Sequence, residues 1–529
     1  MNTQNDKQSQ TDAQNKSREL FYVAIYLFIL SFAIRFPFFF DIVINWDEST
    51  FILMGQSILD GHLPYTELWD IKPPLAILFF AGAIALLGKS IVSVRIAGTL
   101  CVALTAFFTY LTGKTLWNRR TGILSATLFI VLASSINLGQ AVMTEHVALV
   151  PLVGALALFV MREQTPRTVF FIGILIAIAS FVRINLAFVA VFAGIIIVIA
   201  ALTARPRQFS YFNSLKSGLA YIAGGSLIVL LVFLPYVITG NERLWWSSVV
   251  LAPLSFANSQ LSFLEALNKQ LEMFWGFFLN IKGSLFGISV IVWLCGFAGL
   301  FFGITQLRNM SKDKRFGFLF LIAFLLSIEL SILKGGGGGL PFTHYLIQLV
   351  PFMSLTASSI LCSTKSFNAR LIIMGMVLLA LITSMPPIIT EYEIIISRVL
   401  DGLPINHGTA YAVADYIRQH NVNRKPVYMM DDHIVYWLLD LKPLSKSTTH
   451  PSNISREYLL KVLVGPGTTT EMELAKIFDK KPLFIVFDNW SMAYISQSKE
   501  ARNFFIYKLT TLYDPIMSID DEHICRLKE

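Results

Sequence analysis

Apolar stretches of roughly 18 residues or more recur from Phe21 to about Pro387, each long enough to cross a ~30 Å hydrocarbon core as a helix. Polar or basic breaks separate them and predict spans near 20–40, 92–113, 121–139, 145–161, 168–182, 184–203, 217–239, 284–305, 316–333, 344–361 and 370–389. The segment from Pro73 to Gly88 is also apolar, but it is short and led by prolines, so it predicts a helix lying at the membrane surface. After Pro386 and Pro387 the pattern becomes that of a soluble domain. There Thr409–His420 and Glu471–Phe478 predict helices, and Pro426–Met430 and Leu483–Phe487 predict buried strands. Ile516–Leu527 supplies one or two more strands.

Charge sets the expected orientation. Basic residues cluster in every second short loop, as in Lys114, Arg119 and Arg120, then Arg162 and Arg167, then Arg308, Lys312, Lys314 and Arg315. The positive-inside rule puts these loops in the cytoplasm, together with Lys7, Lys16 and Arg18 of the polar start, and the remaining loops outside. The expected architecture is a polytopic α-helical membrane protein of about eleven transmembrane helices. It comprises a cytoplasmic N-terminus (1–19), a membrane domain (20–389) with an external loop (41–91), and an extracytoplasmic α/β domain (390–529). The first apolar run lacks a small-residue cleavage site and reads as a retained anchor.

Composition agrees: 55% of the 529 residues are hydrophobic and 14% are charged, against about 25% in soluble proteins. The net charge of +8 resides largely in the loops, so it implies no nucleic-acid partner. Cys101, Cys295 and Cys362 lie in apolar or membrane-edge stretches and only Cys525 lies in the tail, so no intramolecular disulfide framework forms outside the membrane.

The densest candidate chemistry is in the first external loop: Asn45-Trp46-Asp47-Glu48, then Gly61-His62-Leu63-Pro64-Tyr65, then Trp69-Asp70-Ile71-Lys72-Pro73-Pro74. Carboxylates in a loop can simply be solvated, and its aromatics can belong to the interfacial belt. Arg183 interrupts an apolar run from Val169 to Ala201, where an arginine is costly and so points to function. Lys72 and Lys334 can equally be anchors that snorkel to headgroups. His62 and His146 also read as packing or hydrogen-bonding residues. The run Gly335 to Gly339 reads as a flexible loop, or as a lid over a pocket.

In their order and spacing, Asp47-Glu48, Pro64-Tyr65 and Lys72-Pro73-Pro74 resemble the first external loop of the GT-C glycosyltransferases, specifically the protein O-mannosyltransferase and lipid A aminoarabinose transferase family. Val142-Met143-Thr144-Glu145-His146 resembles that family's second acidic motif. Phe181-Val182-Arg183 sits where relatives place a basic residue. Leu340-Pro341-Phe342-Thr343-His344-Tyr345, leading to Pro351, is similar to a later loop.

The resemblance implies a GT-C fold and transfer of one sugar from a polyprenyl-phosphate donor to an acceptor hydroxyl of a lipid, polysaccharide or protein. It implies inversion at the anomeric carbon with Asp47 as base, and Glu48 as a neighbour that tunes the base or orients the acceptor. Such a transfer needs a base for the hydroxyl proton and positive charge for the departing phosphate. Lys72, Arg183, Lys334, His344 and Tyr345 are the expected phosphate-binding residues, and Tyr65, Trp69 and Glu145 belong to substrate contacts or loop structure. Asp70, Glu145 and His146 are the candidate ligands of a divalent metal cation, which the sequence does not compel. The implied location is a bacterial inner membrane with the site facing outside. The rival reading is a polytopic transporter or lipid-linked sugar flippase.

Overall fold

The computed structural model describes residues 2–136, 138–203, 210–258, 261–279, 286–334, 343–363, 371, 375, 378, 382 and 385–529. The Gly335 to Gly339 run, Leu340-Pro341-Phe342 and most of the predicted span 370–389 lie outside the described residues. The membrane part is a bundle built from α1 (Asn2–Arg35), α4 (Ile91–Leu116), α5 (Arg119–Ser135), α6 (Thr144–Met161), α7 (Pro166–Val182), α8 (Ala187–Leu202), α9 (Ser210–Ile238), α13 (Phe286–Thr305), α14 (Lys312–Lys334) and α15 (Val350–Ser363). Among the described residues six segments are long and apolar enough to cross a membrane: Ser17–Phe39, Ile91–Leu116, Thr144–Met161, Ile184–Leu202, Phe212–Ile238 and Lys312–Lys334. Pro166–Val182, Ile291–Thr305 and Val350–Ser363 are shorter apolar helices at predicted spans. The protein is thus a multi-pass integral membrane protein.

Two helices stand between the first and second spans, α2 (Trp46–Leu59) and α3 (Pro74–Leu87). Each has 14 residues, about 21 Å at 1.5 Å per residue, and falls short of a crossing. They cross closely at Gly55, where a Cβ would stand 2.8 Å from the backbone N of Ala81. Close backbone approach also joins α7 to α9. A Cβ on Gly173 would meet the Tyr221 carbonyl oxygen at 2.3 Å, and one on Gly224 would meet that of Phe170 at 2.1 Å. After α9 come three helices that the hydropathy pattern does not foretell: α10 (Glu242–Trp246), α11 (Ala252–Asn258) and the amphipathic α12 (Phe263–Leu279).

Beyond α16 (Pro386–Leu400), the C-terminal domain opens with α17 (Thr409–His420) and holds a four-stranded sheet in the order β1-β2-β4-β3. β1 (Val427–Met429) and β2 (Phe484–Phe487) run parallel, while β3 (Tyr513–Ile519) and β4 (Glu522–Leu527) form an antiparallel hairpin that pairs with β2. These elements match the expected helices and strands. The domain also packs on the membrane part: Trp437 Nε1 donates to Gln56 Oε1 at 3.3 Å, and Thr50 Oγ1 donates to the Thr449 carbonyl at 2.5 Å. The C-terminal domain and the first loop therefore share one core, with Trp69, Phe80, Val413, Val427 and Trp437 in it.

At the carboxyl ends of β1 and β2, Asp431, Asp432 and Asp488 gather with Glu522. Burial, then the neighbouring carboxylates, raise Asp431 and Glu522 above the usual carboxylate range, and burial and Asp488 raise Asp432 to about 6. A raised folded-state pKa stabilises the fold below the unfolded value of about 3.9 for aspartate, and that contribution is lost as pH rises through the folded value. The melting temperature of the full chain in detergent is expected to fall as pH is raised from about 4 to above 6. Asp431→Asn, neutral at every pH, should flatten that fall; an unchanged slope would show that this cluster does not govern it.

Candidate active site

Asn45 caps α2, its side chain accepting the Asp47 backbone N–H at 2.9 Å, and this sets Asp47 in the helix's first turn. Among the described residues, Lys72 and His450 pair with the Asp47 carboxylate. Lys72 Nζ lies 3.0 Å from Oδ2, and His450 Nε2 lies 3.3 Å from Oδ1. Lys72 is held by Asp70, whose Oδ1 accepts the Lys72 backbone N–H at 3.1 Å, and its ammonium lies 5.0 Å from the centre of the Phe51 ring. Burial alone would raise the Asp47 carboxyl, but the Lys72 ammonium and the His450 hydrogen bond hold it well below the usual range. Burial also disfavours the Lys72 cation, and the Asp47 and Asp70 carboxylates outweigh it, raising Lys72 above the ordinary lysine value.

The other half of the centre comes from α6, α7 and the turn before α15. Arg183, the extended C-cap residue of α7, reaches Glu145 Oε1 at 2.9 Å and donates to Thr144 Oγ1 at 2.9 Å. Its guanidinium lies 4.5 Å from the centre of the Tyr345 ring. His344 Nε2 is 3.9 Å from the same Glu145 oxygen and sets its ring edge-on to Tyr345, with centroids 4.7 Å apart. His344 is within electrostatic reach of both Glu145 and Asp47, and Tyr345 of both Arg183 and Lys72. The two halves therefore form one centre, built at helix ends.

Other predicted residues lie elsewhere or serve differently. Glu48 was expected beside the chemistry and is instead fully buried: Oε2 meets Arg95 at 2.7 Å and Oε1 accepts the Val142 backbone N–H at 2.8 Å. Adjacent helical residues point about 100° apart, so when Asp47 faces the centre Glu48 faces the bundle. Lys334, the last residue of α14, is exposed, and among the described residues no hydrogen bond or ion pair joins it to this centre. Tyr65 and Trp69 are buried loop supports. The Tyr65 hydroxyl donates to the Lys72 carbonyl at 2.6 Å from a backbone at φ 72°, and Trp69 Nε1 donates to Ser248 Oγ at 2.9 Å.

The candidate metal ligands are not brought together. Asp70 accepts from the Lys72 backbone and from Asn453, Glu145 pairs with Arg183, and the Nδ1 of His146 accepts the Met143 backbone N–H. Among the described residues no group of three His, Cys, Asp or Glu side chains is placed to hold a metal ion. These residues do not fit a cation held by Asp70, Glu145 and His146.

Sequence reasoning missed His450, the N-cap of the Pro451–Ser455 helix in the C-terminal domain, because nothing in its own sequence window marks it. It also missed the cations under the loop. Arg95 donates to the Gln140 carbonyl as well as to Glu48, and Arg35 donates to the Gly139 and Gln140 carbonyls at 2.5 and 2.9 Å. Both interrupt apolar stretches, as Arg183 does.

An apolar cavity of about 1140 Å³ lies between α3, α4, α6, α7 and α9. Pro74, Val147 and Val182 line it, each within three residues of Lys72, Glu145 or Arg183. Met161 and Arg162 also line it, about 21 Å from Val147 along α6. It is an apolar cavity that follows α6 from Val147 to Met161, lined by sequence neighbours of Lys72, Glu145 and Arg183.

A helical bundle with an α/β domain packed on it and a polar centre at the helix ends is the architecture of a polytopic membrane protein, and it shares its fold with the solved structures named below. Residues 71–239 match the family model described as dolichyl-phosphate-mannose-protein mannosyltransferase. A dolichol phosphate-mannose mannosyltransferase of Haloferax volcanii is 25% identical over 280 residues, covering 47% of this chain and 57% of that relative. The match thus spans little more than half the length of the curated protein. Among solved structures, ArnT from Cupriavidus metallidurans bound to undecaprenyl phosphate aligns with a TM-score of 0.59 and 12% identity, covering 97% of this chain and 98% of that one. The archaeal oligosaccharyltransferase AglB from Archaeoglobus fulgidus, in complex with an inhibitory peptide and a dolichol-phosphate, aligns at 0.54 and 11% identity, covering 97% of this chain and 75% of that one.

Leaving one member of a buried ion pair unmatched costs about 3–5 kcal/mol. Glu48→Gln is therefore expected to lower the melting temperature of the purified protein and its membrane yield. A variant that melts like the parent would show that the Glu48–Arg95 pair does not hold the loop in place.

Proposed function

We propose that this protein is a glycosyltransferase that moves a single hexose or pentose from a polyprenyl-phosphate donor to an acceptor hydroxyl on a lipid, polysaccharide or protein. The observation that carries this reading is the Asp47 carboxylate beside Lys72, in one centre with Arg183, next to an apolar channel. The channel suits a prenyl chain, and the cations suit the phosphate at its head. The matched family model, and a structural neighbour holding undecaprenyl phosphate, support the same donor class.

In the resting state Lys72 neutralises Asp47. When the donor phosphate arrives, Lys72 and Arg183 turn to it, and Asp47 loses the cation that held its basicity down. The acceptor oxygen then attacks the anomeric carbon on the face opposite the phosphate. Its proton passes to Asp47 as the bond from carbon to phosphate oxygen breaks, and the electron pair leaves with the prenyl phosphate. The configuration inverts. No step is routed through a metal ion, and no nucleotide-sugar site is needed.

The centre faces the extracytoplasmic side of a bacterial inner membrane in this reading. The basic clusters Lys114 to Arg120 and Arg162 to Arg167 lie at the opposite ends of α4 and α6, where the positive-inside rule sets the cytoplasm. The C-terminal domain is extracytoplasmic with the site and positions the acceptor. A transporter or flippase would hold its decisive polar groups near the bilayer midplane at broken helices, whereas these groups sit at helix ends.

Asp47→Asn should abolish transfer of radiolabelled sugar from a polyprenyl phosphate while donor binding persists; sustained turnover would remove Asp47 as base. Lys72→Ala should weaken donor binding by about tenfold to a hundredfold, the loss of one charge-assisted contact. With the ammonium gone the largest influence opposing burial at Asp47 is lost and His450 and His344 oppose it alone, so the acidic limb of the rate profile should move to higher pH. A cysteine at Asp60 and another at Asn118 should be labelled by an impermeant thiol reagent from opposite sides of the membrane. Labelling from one side would overturn the topology.

A further inference from the structure

We infer that His450 is a positioning residue for Asp47: the C-terminal domain supplies an N–H to Oδ1 and leaves Oδ2 as the oxygen that takes the acceptor proton. This rests on the glycosyltransferase reading above and deepens it, because it makes the domain part of the catalytic centre.

The tautomer follows from the hydrogen bonds. The Ser452 backbone N–H donates to His450 Nδ1 at 3.1 Å, and the Ser452 hydroxyl lies 2.8 Å from the same nitrogen. Nδ1 therefore carries a lone pair, and the proton of the neutral ring sits on Nε2, 3.3 Å from Asp47 Oδ1. The ring plane is fixed as well. Trp46 packs edge-on to it at 5.8 Å between centroids, and Tyr494 packs edge-on to that tryptophan at 5.2 Å.

The segment that carries His450 is fastened to both arms of the loop that carries Asp47 and Lys72. The Thr50 hydroxyl donates to the Thr449 carbonyl, the Thr449 hydroxyl donates to the Trp69 carbonyl at 2.6 Å, and the Trp69 backbone N–H donates to the Lys446 carbonyl at 3.1 Å. Asn453 Nδ2 reaches the Trp69 carbonyl at 3.1 Å and Asp70 Oδ2 at 3.2 Å. Asp47 thus has one partner from its own loop and one from a different domain, both held in a single network.

The two partners have different fates in the reaction. Lys72 leaves Oδ2 for the donor phosphate, so Oδ2 opens when the donor is in place. His450 is held at its other ring nitrogen by Ser452 and stays on Oδ1. A carboxylate gripped by one oxygen keeps the other aimed; released from both sides it would rotate about χ2, which is broad for aspartate.

The test compares His450→Gln, whose side-chain amide can again donate at that reach, with His450→Leu, which cannot. Both are made in the full-length protein and assayed with a polyprenyl-phosphate sugar. The leucine variant should lose about tenfold or more in kcat with donor KM within about twofold of the parent, and the glutamine variant should recover most of that loss. Parental turnover by the leucine variant, equal losses in both, or a loss confined to donor KM or to folding yield would each overturn the inference. Asp47→Asn, run alongside, separates the two failures. If that variant is dead while His450→Leu is normal, only the positioning role falls, and if that variant turns over, the base assignment itself falls.

Discussion

A carboxylate surrounded by protein at the ends of membrane helices stays ionised only if cations or donors are brought to it, and Asp47 imposes that requirement on the rest of the molecule. Lys72 answers it from the far side of the same loop and His450 from the C-terminal domain. To hold Lys72 in place, the loop turns through Tyr65 at positive φ and is tied down by Trp69 and Asp70. To hold His450 in place, the C-terminal domain shares a core with that loop.

Beneath this centre, a second layer keeps the helix ends fixed. Glu48 and Arg95, both buried, bind each other and the backbone around Gln140 to Val142, which leads into the Thr144-Glu145 start of α6. Arg35 grips the same backbone from the end of α1. The neighbouring residues Asp47 and Glu48 therefore do different work, one open to the site and one locking the first loop to the second. An apolar cavity runs along α4, α6, α7 and α9 of the same bundle.

The bundle was legible in the sequence because apolar runs of membrane length, repeated along a chain, have little use in a water-soluble fold, and the strands and helices of the C-terminal domain followed from their own periodicity. Arg183 stood out because a charge interrupts an apolar run, whereas Glu145 and His344 were named through the resemblance of their motifs to a known family. Glu48 misled because a linear motif does not show that neighbours on a helix face different directions. Lys334 misled because a lysine ending a span has a good reason to be there without chemistry. Asp70 and His146 carry ligand-type side chains, yet Asp70 accepts from the Lys72 backbone and Asn453 and the Nδ1 of His146 accepts from the Met143 backbone, and only coordinates reveal that. His450 left no local signature at all: Thr50 and Thr449, which help bring it to Asp47, are 399 positions apart. Contacts between domains of that separation are set by tertiary packing, not by any window of sequence.

The most direct measurement is an experimental structure of this protein with a polyprenyl phosphate bound. The expected complex has the prenyl chain along the channel between α4, α6, α7 and α9, the phosphate within hydrogen-bond distance of Lys72 and Arg183, and Asp47 released from Lys72 but still held by His450. A phosphate bound away from these cations, or Lys72 still paired with Asp47 beside an occupied channel, would contradict it.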